Sequence, residues 1–163
     1  MASSNDHSTL LEYNNLRISS SQVVLIYTEW NEEIIQSLRD GVKKVLTNFP
    51  QIQIQEICVP GAIEIPYAIA QYQAIKGAEA YIALGCVIRG ETPHFDYVCQ
   101  SVTQGISQLN ITLPSPVIFG ILTVNDVDQA WDRLGGKHGH KGEEAGIAAL
   151  KMMSFKENLK SNS

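Results

Sequence analysis

Three short runs of almost unbroken apolar residues, QVVLIYT at 22–28, AYIALGCVI at 80–88 and PVIFGILT at 116–123, restrict this chain more than any other feature. A strand with one wet face alternates apolar and polar residues. Runs of this length without alternation belong to strands covered on both faces, the condition of a parallel sheet. Helical periodicity fills the gaps between them: NEEIIQSLRDGVKKVLTN sets Ile34, Ile35, Leu38, Val42, Val45 and Leu46 at helical spacing. QIQIQEICV reads as another strand, which Pro60-Gly61 breaks before a helix in EIPYAIAQYQAIKG. A further helix is expected from Pro93 to about Leu109, and two more in NDVDQAWDRLGG and KGEEAGIAALKMMSF, separated by the glycine-rich GGKHGHKG. Strands alternating with helices at this spacing predict βαβ units, right-handed crossovers and a three-layer α/β sandwich.

A length of 163 residues fits a single domain, 1–163. Its two ends are polar, and 1–20 and 156–163 are expected to be flexible or dependent on assembly, with Leu16 and Ile18 leaving NLRISS able to pair as an added edge strand. A net charge of −5 and a pI near 5.3 argue against nucleic acid as a partner, which would call for a basic stripe. A locally placed arginine or helix N-terminus would still hold a small phosphate-bearing molecule. The apolar runs are far shorter than a membrane span, and MASSNDHSTLLEYNN has neither the basic nor the apolar region of a secretory signal, so no membrane partner and a cytoplasmic location are expected. Cys58, Cys86 and Cys99 form no CxxC pair, so they are expected to be buried reduced thiols rather than disulfide or zinc ligands.

In open α/β sheets ligands bind beyond the carboxyl ends of the strands, which here are TEWN, VPGAIE, VIRGETPH and FGILTVND. In the third of these, Thr92 reads as a helix N-cap and Pro93 as a first-turn residue, and the free N–H groups there make a phosphate cradle. The apolar stripe of that helix runs through Phe95, Val98, Cys99, Val102, Ile106 and Leu109, leaving His94 on a neighbouring face with Tyr97 and Ser101. A helix N-terminus disfavours imidazolium, so a neutral ring able to exchange protons is expected. Taken alone, the pattern is met more often by a surface or capping histidine than by a catalytic one.

VPGAIEIP, GCVIRGETPHFDYVC, FGILT and RLGGKHGHKGEEA, in this order and spacing, closely resemble the lumazine synthase family over roughly Val23 to Phe155. The resemblance implies a flavodoxin-like four-stranded parallel sheet flanked by helices. It also implies condensation of 5-amino-6-(D-ribitylamino)uracil with 3,4-dihydroxy-2-butanone 4-phosphate, releasing phosphate and water, with no cofactor and no metal. His94 matches the family's proton-transfer histidine, a general acid/base rather than a nucleophile. Trp30 stands where the family usually has an aromatic, often Phe followed by Asn, that stacks on the pyrimidine. Ala62, Ile63 and Glu64 match the segment that holds the ribityl chain, although the family often has an aromatic at the position of Ile63. Cys86, Val87 and Ile88 match a strand end whose backbone recognises the pyrimidine edge, with Cys86 a small apolar filler.

On the phosphate side the resemblance assigns Glu91 and Thr92, acting mostly through backbone N–H groups, and Arg133, whose planar fork suits the anion. Phe119 matches a residue bordering the pyrimidine. Lys137 and Lys141 stay open between substrate contacts and a mobile loop, and His138 and His140 receive no role. The resemblance further implies that Phe119 and Arg133 come from the neighbouring subunit of a homopentamer, twelve of which form a 60-subunit icosahedral shell in some members. Two other classes share the scaffold: a flavodoxin-like electron carrier, and a non-catalytic flavin- or lumazine-binding protein. A response regulator is excluded, because YTEWN lacks the acidic cluster that holds magnesium.

Overall fold

The computed structural model describes residues 12–13 and 15–161. β1 (Ser21–Thr28) leads to α1 (Glu32–Leu46), β2 (Ile52–Val59), a 3₁₀ turn (Ala62–Glu64), α2 (Ile65–Ile75), β3 (Ala80–Ile88), α3 (His94–Thr112), β4 (Val117–Val124) and α4 (Val127–Trp131). A small hairpin of β5 (Leu134–Gly136) and β6 (Gly139–His140) then feeds α5 (Lys141–Ser161). The first four strands form one parallel sheet in the order β2-β1-β3-β4, the flavodoxin-like arrangement.

The runs of β1 and β3 are covered on both faces, as expected, whereas β4, at the sheet edge, leaves Phe119 and Thr123 exposed. Because strand side chains alternate, Val23 and Leu25 join the core beneath α1 and α5, while Val24 and Ile26 join the one beneath α2 and α3; all four are fully buried. Each such side chain contributes roughly 1.5–3 kcal/mol of transfer free energy. Tyr81, equally buried, donates its phenol proton to Gln73 Oε1 at 2.8 Å, and burial pushes its pKa up to about 12. On the opposite face α1 and α5 pack backbone against backbone. A Cβ on Gly142 would run into the carbonyl oxygen of Leu38, so only glycine lets the two helices approach this closely.

The chain departs from the sequence reading in several places. Segment 15–20 forms no strand; Leu16 and Ile18 instead lay their side chains against the core, and Gln51 Nε2 donates to the Ile18 carbonyl at 3.0 Å, giving it a side-chain partner instead of a strand. The helix expected across NDVDQAWDRLGG is only one short turn, capped by Asp126, whose carboxylate accepts from the Gln129 N–H at 2.8 Å. Gly135 at φ 102° and Gly139 at φ 73° then turn the chain into the hairpin, where a helix or loose loop was expected. Finally, α5 runs on to Ser161 instead of stopping near Phe155. Glu157 ties that extra turn to the chain start by accepting from the Ser19 N–H at 2.7 Å. Residues 1–11, 14, 162 and 163, which belong to the polar ends discussed above, lie outside the described residues.

Candidate active site

The sheet places its ligand crevice by topology. From β1 the chain turns outward to β2, and from β3 outward to β4, so the carboxyl ends of β1 and β3 flank the point where the strand order reverses. β3 also outruns its neighbour: pairing between them ends at Tyr27 and Leu84, while β3 continues to Ile88. A cleft of about 560 Å³ opens over this step.

Three chain segments and one helix start build its walls. The turn after β1 supplies Trp30, which is 69% exposed and overhangs the opening, and Asn31. After β2, Pro60-Gly61 ends the strand, and the 3₁₀ turn presents Ala62, Ile63 and Glu64. Gly61 leaves a bare backbone here: a Cβ would stand 3.0 Å from Glu64 Oε2, so the missing side chain makes room for that carboxylate. The overrunning end of β3 supplies Cys86, Val87 and Ile88. The Cys86 thiol is buried, which pushes its pKa up to about 11 and leaves it an inert filler. Cys58, by contrast, is exposed and Cys99 half-buried; the expectation of three buried thiols fails because β2 is an edge strand and Cys99 lies near the open end of α3.

His94 is the first residue of α3 and lines the same cleft, with Val98 one turn behind it. Thr92 is not the cap. Pro93 occupies that position, and its carbonyl accepts from the Asp96 N–H at 3.0 Å, which leaves the threonine one residue outside the helix. With no side chain capping the start of α3, its leading N–H groups remain available to an anion. Arg89 braces the loop in front of it: the guanidinium lies 4.1 Å from the Phe95 ring centroid and donates to Asn125 Oδ1 and Asp96 Oδ1, both at 3.1 Å. Glu91 and Thr92 sit exposed on that braced loop, outside the cleft wall.

Phe119 and Arg133 do not join this group within one chain. Phe119 lies in the middle of β4, level with Ala83, and is 41% exposed. It lines a separate groove of about 250 Å³ with Lys141 and Glu144, whose side chains are paired at 2.7 and 2.9 Å. Arg133 follows α4, where its Nη1 donates to the Gln129 carbonyl at 2.8 Å. Lys137 lies exposed at the hairpin turn.

The sequence reading passed over Asn31, Glu144 and Arg89. Glu144 carried a usable signal, an acid three residues after Lys141 on one helix face. Among the described residues no group of three or more His, Cys, Asp or Glu side chains could hold a metal ion, and no helix is long and apolar enough to cross a membrane.

A model of the 6,7-dimethyl-8-ribityllumazine synthase family matches residues 20–157. Proteins of that name in Cytophaga hutchinsonii and Bacteroides fragilis are 47% and 45% identical to the chain, over 84% and 80% of its length and 87% and 93% of theirs. A third, from Porphyromonas gingivalis, is 47% identical over 80% of the chain and 83% of its own length. The matched region runs from the start of β1 almost to the end of α5 and includes every wall of the cleft, so this chain belongs to the 6,7-dimethyl-8-ribityllumazine synthase family.

Proposed function

We propose that the cleft over β1 and β3 holds 5-amino-6-(D-ribitylamino)uracil and that His94 moves protons in its condensation with 3,4-dihydroxy-2-butanone 4-phosphate. By family the chain is a transferase of riboflavin biosynthesis that acts on small molecules and assembles as an oligomer. The observation that carries the assignment of the cleft is convergence: Trp30, the 62–64 turn, the 86–88 strand end and His94 come from four separate segments and line one cavity.

The chemistry fits those groups. The pyrimidine lies against the Trp30 indole, a large flat apolar surface. The backbone at 86–88 meets its polar edge, and the Glu64 carboxylate accepts hydrogen bonds from ribityl hydroxyls. The free amine of this substrate attacks the ketone of the second one. Water then leaves to give an imine, phosphate is eliminated, and the second amine closes the ring on the remaining carbonyl with loss of a second water. Each of these steps moves a proton, and His94 stands at the mouth where it can donate to a departing oxygen and take a proton from carbon or nitrogen. Much of the acceleration comes from holding the two substrates together. The phosphate docks on the open N–H groups of α3, with Glu91 and Thr92 contributing backbone donors and Arg133 a bidentate fork.

In this reading Phe119 and Arg133 are delivered by a neighbouring copy, since in one chain they line other surfaces. The assembly is a homopentamer, twelve of which can close a 60-subunit shell, and it works in the cytoplasm. The test is an absorbance assay of the lumazine chromophore with both substrates. Wild type should form it well above the spontaneous rate, and His94→Gln should lower kcat about 100-fold without abolishing turnover. A wild-type rate equal to the background, with the oligomer intact, would remove the assignment.

A further inference from the structure

Asn31 is the one non-glycine residue with positive φ among the described residues, at φ 61° and ψ 51°. Left-handed backbone is uncommon outside glycine, and asparagine is among the few side chains that tolerate it. Its place is the N-cap of α1, where its carbonyl accepts from the Ile35 N–H at 3.0 Å. Its side chain caps nothing in that helix. Instead Nδ2 donates across the cleft floor to the Cys86 carbonyl at 3.0 Å.

That bond has a topological cause. β1 stops pairing with β3 at Tyr27 and Leu84, so the carbonyls of the overrunning end lose their ladder partners on that side. Cys86 is buried, and a buried carbonyl without a donor is costly. The Asn31 amide supplies the donor that the next residue of β1 would have supplied, extending the ladder by one rung with a side chain. The neighbouring backbone is tied as well: the Glu29 N–H donates to the Val59 carbonyl at 3.0 Å, and Thr28 Oγ1 lies 3.5 Å from the Trp30 carbonyl. Trp30 is therefore held by its backbone on both sides while its ring stays exposed.

We propose that Asn31 is a positioning residue: its amide clamps the turn carrying Trp30 to the strand end carrying Cys86, Val87 and Ile88, and so fixes the width of the slot between indole and backbone. The inference rests on the cleft being the ribitylaminouracil subsite. It assigns Asn31 no contact with substrate and no part in proton transfer.

Two substitutions separate the clamp from the backbone conformation. Asn31→Gly keeps the left-handed turn and removes the donor. Asn31→Asp keeps the side-chain shape and sets a carboxylate oxygen against the Cys86 carbonyl. Steady-state kinetics on the assembled protein, with Trp30→Ala alongside, should give KM for ribitylaminouracil in the order wild type, Asn31→Gly, Asn31→Asp. The glycine variant should stand about tenfold above wild type, the factor that 1.4 kcal/mol represents. KM for the butanone phosphate should move less than about twofold, whereas a general loss of folding would lower apparent kcat and leave both KM values unchanged.

If Asn31→Gly matches wild type while Trp30→Ala raises KM, the clamp is refuted and the subsite stands. If neither Trp30→Ala nor the Asn31 variants change KM, the subsite itself is wrong and the clamp falls with it. Equal rises in both substrates' KM values would also refute the clamp, since the effect would then be unspecific.

Discussion

At the scale of single residues, the site depends on side chains whose neighbours leave them free. Arg133 Nη1 donates to the Gln129 carbonyl at 2.8 Å, and in the proposed site the rest of its fork meets the phosphate. Arg133→Ala should raise KM for the butanone phosphate by about 10- to 100-fold, the loss of a charge-assisted pair, and leave KM for ribitylaminouracil nearly unchanged. Arg133→Lys should recover only part of this, because a point charge cannot reproduce the fork. Kinetics with each substrate varied in turn would show it, and equal effects on both would contradict the assignment. The position of His94 off the apolar stripe was legible in the sequence, because helical periodicity fixes which residues face the core: Val102, Ile106 and Leu109 are buried and His94 is not. Asn31 was not legible. Its partner is 55 positions away, and nothing in TEWN says where β3 will outrun β1.

At the scale of elements, strands were legible because three of the four are apolar throughout, while the region after β4 was misread. There GGKHGHKG carries glycines that serve a hairpin as well as a loop, and the choice is made by φ values that sequence does not print. The tie between α1 and β2 was equally invisible. Arg39 stacks over the Tyr27 ring at 4.0 Å and is ion-paired with Glu56, whose other oxygen lies 3.2 Å from Lys43 Nζ. Burial by itself would push the Glu56 carboxyl up, but Arg39 and Lys43 outweigh it and hold it below the ordinary carboxylate range. A carboxyl depressed in the folded state adds stability above its unfolded pKa and loses it as pH falls through the folded value. Glu56→Gln should therefore cost about 1–3 kcal/mol at neutral pH, with the gap to wild type closing below about pH 4. Urea unfolding across pH measures this directly, and a gap that persists in acid would show that shape rather than charge holds the helix.

At the scale of the whole molecule, the proposed site residues of one chain lie on separate surfaces. The cleft is lined by Trp30, Glu64 and His94, and among the described residues no lysine or arginine lines it. Phe119, Lys141 and Glu144 line a different groove on β4 and α5, and Arg133 lies after α4. Apolar surface on α2 and α3 is also left open, with Tyr67 and Tyr97 both about 70% exposed, as suits helices that meet another copy. The central claim is that each working site joins the His94 cleft of one copy to Arg133 of the next. Co-expressing His94→Ala and Arg133→Ala chains in equal amounts, purifying the mixed oligomer and assaying lumazine formation at butanone phosphate well below the KM of the Arg133→Ala variant tests it most directly. With sites shared across a cyclic interface, random mixing leaves about a quarter of them with both residues intact, so activity should recover to about a quarter of wild type. If each site were built within one chain, no site would hold both residues, and the mixture would show only the average of the two crippled variants.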